Sequence, residues 1–201
     1  RKFCLPKTYF LPGNGASELF LGILHALKPK KVILPVPSFY GYAYTAKAVG
    51  SEVVCVPLKK EEDFLPGEEL VLALQEDAEL LFLANPNNPT GALYPKEVLQ
   101  KIVDLAREHH LIIFSDEIYD RLVMDGKEHI SIASLAPDLF CVTFSGLSKS
   151  HMIAGFRIGW MVLSGNKAIA KDYIEGIKML SNMRLCSNVP APVSYTHLRA
   201  H

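Results

Sequence analysis

Five short apolar runs recur along the chain: KVILP (31–35), SEVVCVP (51–57), ELLFLAN (79–85), HLIIFSDE (110–117) and FCVTFS (140–145). Each holds a short core rich in Val, Ile, Leu and Phe, the pattern of strands buried on both faces. Between them lie helix-length segments: SELFLGILHALK (17–28), YGYAYTAKAVG (40–50), PGEELVLALQED (66–77) and PKEVLQKIVDLAREHH (95–110). Pro66 and Gly67 open the third and Pro95 the first turn of the fourth, both helix-start signals. Such alternation dictates βαβ units, hence an α/β fold of three layers with a mainly parallel sheet between helices. The link from Ser145 to Arg157 is too short and irregular for a crossover helix, yet RIGWMVL (157–163) reads as a strand. A link of that kind suits an antiparallel neighbour, so one antiparallel strand is expected. The segment NKAIAKDYIEGIKMLSNMRL (166–185) predicts a long helix leaving the sheet.

The 201 residues suffice for one large domain with a real core. Lys plus Arg number 21 and so do Asp plus Glu, a balance that gives no footprint for nucleic acid or a membrane surface. No run has the length of a transmembrane segment or the form of a signal peptide. Cys4, Cys55, Cys141 and Cys186 are scattered without a C-x-x-C pair. They read as core thiols of a reducing cytoplasm rather than disulfides or metal ligands. The ends read differently. The chain has no initiator Met, and residues 1–192 are expected to be part of a longer protein. The last nine residues, VSYTHLRAH (193–201), carry no apolar period and no cap. They back-translate to a sequence resembling a transposon-derived sequencing adapter, and are set aside as a read-through scar.

In a doubly wound sheet, ligands bind outside the carboxyl ends of the strands. Asn85 and Asn88, Asp116, and Ser145, Ser148 and Lys149 all fall at those ends, far apart in sequence. NPNNPTG (85–91) is either a rigid strand-to-helix turn or a turn whose two flanking prolines aim the Asn88 amide at the crevice. In SDEIY (115–119), a carboxylate at the end of an apolar run is costly unless paired. Asp116 is a helix cap or turn residue, or it partners a cationic heteroaromatic nitrogen and keeps it protonated, with Tyr119 donating from the same side.

The stretch TFSGLSKSHMIAGFRIGW (143–160) holds two cations, Lys149 and Arg157, and no acid, which points to a bound anion beside a carbonyl cofactor. Lys149 is a surface lysine, or a partly desolvated amine that attacks a carbonyl. Arg157 suits a bidentate hold on phosphate. GNGASEL (13–19) is an ordinary helix start or a phosphate cradle built from amides around Gly15, Ala16 and Ser17. Phe39, just past KVILP, is a core aromatic or a stacking partner for a planar ring.

Together, NPNNPTG, SDEIY and SGLSKSHMIAGFRIGW resemble the signature of class I/II aminotransferases, fold-type I enzymes that use pyridoxal 5′-phosphate. The resemblance spans residues 13–192 and implies the large domain of that fold. It implies that Lys149 bonds the cofactor aldehyde and moves the substrate proton. Asp116 pairs with the pyridine nitrogen, and Asn88 and Tyr119 bond the ring oxygen. Arg157 and the Ala16 and Ser17 amides hold the phosphate, and Phe39 stacks on the ring. Many relatives carry Ser or Thr where this chain has Gly146, so Ser145 or Ser148 takes that phosphate contact.

The second half is similar to bacterial alanine (glutamate–pyruvate) aminotransferases. The first eighty or so residues lean toward histidinol-phosphate aminotransferases and threonine-phosphate decarboxylases, so the chain is a divergent member or a join of two genes. The implied activity in amino-acid metabolism is transfer between alanine and 2-oxoglutarate by a homodimer. The alternatives are a decarboxylase or histidinol-phosphate-type enzyme, or the aminotransferase-like effector domain of a transcriptional repressor. The resemblance also implies a substrate-clamping arginine beyond this chain, so residues 1–201 alone are expected not to transaminate.

Overall fold

The computed structural model describes residues 10–75 and 77–182. The 193–201 tail, Cys4 and Cys186 lie outside the described residues. Seven strands form one sheet: β1 (Phe10–Asn14), β2 (Lys31–Val36), β3 (Glu52–Pro57), β4 (Leu80–Ala84), β5 (Ile112–Asp116), β6 (Cys141–Gly146) and β7 (Ile158–Ser164). Their order is β1-β7-β6-β5-β4-β2-β3. β7 runs antiparallel to both neighbours, and every other pair is parallel. The single antiparallel strand is where the irregular 145–157 link placed it.

Among the described residues five α-helices pack about the sheet: α1 (Ala16–Leu27), α2 (Tyr40–Ala48), α3 (Glu68–Leu74), α4 (Lys96–Glu108) and α5 (Lys171–Asn182). Side chains alternate along each strand. Phe82, Phe114 and Phe144 therefore share one face, against Phe20 of α1 and Tyr42 of α2. Phe20 meets Phe82 and Phe144 edge-on at centroid distances of 5.3 and 4.5 Å, pairs worth about 0.5–1.5 kcal/mol each beyond burial. The opposite face carries Ile33, Leu81, Ile113 and Cys141, covered by α3 and α4. α4 buries Leu99, Ile102, Val103 and Ala106, the i, i+3, i+4, i+7 stripe of an amphipathic helix.

β1 is not among the apolar runs, since Pro12 and Gly13 interrupt it, yet it pairs along β7 from Phe10↔Val162 to Asn14↔Ile158. An edge strand tolerates such residues. β3 is the opposite edge and is not buried on both faces, so Cys55 is exposed rather than a core thiol, whereas Cys141 is buried. The segment after β7 begins its helix later than expected, at Lys171, and over its described length that helix lies on α1 rather than on a strand. A 3₁₀ turn, Lys167–Ala170, leads into α5, which packs on α1 through Ile174 and Ile177, with Gly176 facing Ala26. Among the described residues no helix is long and apolar enough to cross a membrane.

Candidate active site

The carboxyl ends of β4, β5 and β6 converge. Asp116 is the last residue of β5, in register with Ala84 of β4 and Phe144 of β6. It is 6 % exposed. Its Oδ2 accepts from the Tyr42 hydroxyl at 2.7 Å and its Oδ1 from the Ile118 amide at 3.1 Å. Burial pushes the carboxyl up to about 6, opposed by the Tyr42 bond, the Ile118 amide and the Lys149 charge. Asp116 is therefore an anion above about pH 6. Burial first, and the Asp116 charge next, push the Tyr42 phenol well above its ordinary value, so it stays a donor.

Lys149 follows β6 in a turn, with Nζ 5.8 Å from the centre of the Tyr119 ring. Tyr119 sits three residues after Asp116, so the acid, the phenol and the amine come together. The expected partial desolvation of Lys149 is not met: its side chain is exposed.

The second cluster surrounds the start of α1. Gly13 of β1 and Gly146 of β6 both lie opposite Gly159 of β7. A Cβ at Gly159 would overlap the Ala16 nitrogen and the Gly15 backbone, so the close approach of α1 to β7 requires glycine there. Gly15 has φ 82°, the left-handed region that glycine occupies freely. A Cβ on it would strike the Arg157 guanidinium. Arg157 itself holds φ 54° after the 3₁₀ turn Ala154–Phe156. Its Nη1 donates to the Ala154 carbonyl at 2.9 Å and its Nη2 to the Asn14 carbonyl at 3.3 Å. α1 starts at Ala16 without a side-chain cap, which leaves the Ala16 and Ser17 amides at a positive helix end beside an exposed guanidinium.

The asparagines of the 85–91 turn divide their work. Asn85 accepts from the Tyr94 amide at 2.9 Å and donates to the Ile130 carbonyl at 3.4 Å. Asn87 donates to the Pro37 carbonyl at 3.2 Å. Both are buried and used by the fold, while Asn88 is partly exposed. Phe39 precedes α2 and packs edge-on against Tyr42 at 5.4 Å. Of the two serines, Ser145 is buried and alternates with Phe144, which puts it on the Cys141 face, opposite Asp116. Ser148 lies partly exposed in the turn before Lys149. At Gly146 a Cβ would lie 2.6 Å from the Ile158 carbonyl oxygen, so a side chain does not fit there.

Two buried polar residues escape the sequence reading. Tyr42 shares the inward stripe of α2 with Ala46, four residues on, while Tyr40 and Tyr44 face out. A hydroxyl in a core stripe needs a partner, and that was the available signal. Glu117 follows Asp116 at a strand end, and alternation sends consecutive acids to opposite faces. It is 3 % exposed. Its Oε1 accepts from Ser115 and Ser131 at 3.0 Å each, and its Oε2 lies 3.6 Å from His129 Nε2. Burial pushes its carboxyl up to about 8, against the two serine bonds.

Residues 5–200 match the family model for aminotransferase class I and II. The chain is 46 % identical to glutamate-pyruvate aminotransferase AlaA of Escherichia coli K12 over 182 residues, covering 89 % of this chain and 45 % of that protein. It is 43 % identical to an alanine aminotransferase of Mycobacterium tuberculosis, again over 89 % of this chain and 42 % of the relative. Among solved structures, an aminotransferase from Escherichia coli superposes with a TM-score of 0.90 at 43 % identity, over 94 % of this chain and 47 % of that one. Alanine aminotransferase from Pyrococcus furiosus gives 0.88 at 33 % identity, over 93 % and 48 %. The chain thus spans about half the length of the relatives it matches. With its strand-end acid, lysine and guanidinium in one fold and that family's model matched almost throughout, the chain belongs to the class I and II aminotransferases, enzymes that work through pyridoxal 5′-phosphate.

Proposed function

We propose that the protein carrying this chain exchanges an amino group between alanine and 2-oxoglutarate, giving pyruvate and glutamate. The observation that carries this is the buried Asp116 carboxylate at the end of β5, with Tyr119 and Lys149 beside it. The residues fit pyridoxal phosphate. Gly15 and Gly159 leave the space for Arg157 and the first α1 amides to meet a phosphate, and Asp116 is an acid suited to a ring cation.

When bound, the cofactor supplies an electron-poor ring that takes up the electron pair left at the substrate Cα. The rest falls to this chain. Asp116 holds a proton on the ring nitrogen, which sustains that electron demand. Lys149 would supply the amine for the cofactor's aldehyde and the group that moves the proton at the substrate Cα. Tyr119 and Asn88 would be the donors to the ring oxygen. The Ala16 and Ser17 amides, Arg157 and the Ser148 hydroxyl would hold the phosphate, and Phe39 would pack against the ring; Ser145, on the far face, is left to the core.

Alanine is favoured over other amino acids by the names of the relatives at 43–46 % identity. Residues 1–192 then form part of the cofactor-binding large domain of a cytoplasmic homodimer. The test is to supply the full-length protein with pyridoxal phosphate, alanine and 2-oxoglutarate and measure pyruvate and glutamate. Equimolar formation of both is expected. Release of carbon dioxide instead would make the protein a decarboxylase, and cofactor binding without turnover of any amino acid would favour a regulatory domain.

A further inference from the structure

We infer that Tyr42 is a positioning residue for Asp116: its hydroxyl fixes the carboxylate and favours the anion, so the acid is set for a cationic ring nitrogen before any ligand arrives. This rests on the pyridoxal-phosphate reading above for its purpose, but on the ligand-free geometry for its substance.

The Tyr42 ring cannot wander. It is 2 % exposed, stacks on Phe82 at 4.2 Å with 23° between planes, and meets Phe20 and Phe39 edge-on at 5.4 Å each. Its hydroxyl is thereby delivered to one point, Asp116 Oδ2, at 2.7 Å. The Ile118 amide takes Oδ1 at 3.1 Å, so the carboxyl group is held at both oxygens and cannot rotate about its Cβ–Cγ bond without losing a bond. A hydroxyl bonded to a carboxylate is among the stronger neutral-donor contacts. The titratable groups facing this pair are Tyr119 from the turn after β5, Tyr94 near Tyr42, and Lys149 from the turn after β6. Lys149 is the cation among them, and it is exposed to solvent that screens it. The Tyr42 bond is what chiefly opposes burial in keeping the acid ionised. The start of α2 thus brings together Phe39, the residue that precedes it and the proposed ring-stacking side chain, and the hydroxyl that sets the acid.

Tyr42→Phe keeps the ring packing and removes the donor. Following the Asp116 carboxyl carbon by NMR in the ligand-free full-length protein, the variant's titration midpoint is expected to rise by about 1–2 pH units, the equivalent of a bond to a charged group. Cofactor affinity at pH 7 should fall about two- to tenfold in the wild-type background, as the anion fraction falls, yet change little when Asp116→Asn is already present, the coupling expected of a residue acting through the acid. An unmoved midpoint, or an equal loss of affinity in both backgrounds, overturns the inference. A second variant runs the other way: 3-fluorotyrosine at position 42 is a better donor and should lower the midpoint, and an unchanged or higher one counts against Tyr42. Because the titration uses no cofactor, failure of the wild-type protein to bind pyridoxal phosphate would sink the functional reading while the Tyr42 result still stands or falls.

Discussion

Glu117→Gln exchanges a buried carboxyl for an amide of the same shape. The amide oxygen can still accept from Ser115 and Ser131, and the amide nitrogen faces His129. In the folded protein burial raises the Glu117 carboxyl from 4.5 to about 8. A carboxyl raised on folding favours the neutral form, so its contribution is fullest below pH 4.5 and is lost as pH climbs toward about 8. Raising the carboxyl from 4.5 to about 8 corresponds to roughly 3–5 kcal/mol lost across that window. Gln does not titrate. The stability of Glu117→Gln minus that of wild type should therefore grow by about 3–5 kcal/mol between pH 4.5 and 8.5. For a domain of this size that is roughly 6–20 °C in relative Tm. Denaturation of both proteins across this range measures it, and other titrating groups cancel in the difference. A difference that stays flat with pH would show that Glu117 ionises normally, for instance as a carboxylate paired with a protonated His129, and would refute burial as its governing influence.

Gly159→Ala places a methyl group against the Ala16 nitrogen and Gly15 backbone. It should cost about 1–3 kcal/mol of stability, and displacement of the α1 start should weaken cofactor binding, read by equilibrium titration. Gly22→Ala in the middle of α1 meets nothing within 4 Å; it should instead stabilise by about 0.5–1 kcal/mol and leave binding unchanged. Asp116→Asn in the full-length protein should retain the cofactor but lose at least about a hundredfold in turnover, the low end for a group that holds a proton in place; steady-state kinetics near wild type would remove Asp116 from that role.

The strands flanking the site were legible because they are buried. β4 and β6 are covered along their whole length, so their sequences are largely apolar, and the asparagines after β4 and Ser148 and Lys149 after β6 mark their ends. β1 was not legible, since its pairing with β7 is a tertiary fact hidden behind Pro12 and Gly13. The edge position of β3 was hidden for the opposite reason: EVVCVP has the composition of a central strand, and only topology leaves Cys55 exposed. Motif spacing picked out Asp116, Lys149 and Arg157, but not the neighbours that set their behaviour. Tyr42 lies 74 residues from Asp116, and no local pattern links the two. Gly146 was legible as a departure from the family. Its reason was not, because that reason is the Ile158 carbonyl of an adjacent strand.

The central claim is that Lys149 is the amine of a pyridoxal-phosphate site. Borohydride reduction of the full-length protein with its cofactor bound, followed by peptide mapping, tests it most directly. A pyridoxyl group is expected on the peptide containing Lys149, and none when Lys149 is replaced by Ala. A label on a different lysine, or none on a protein that holds the cofactor, would contradict it.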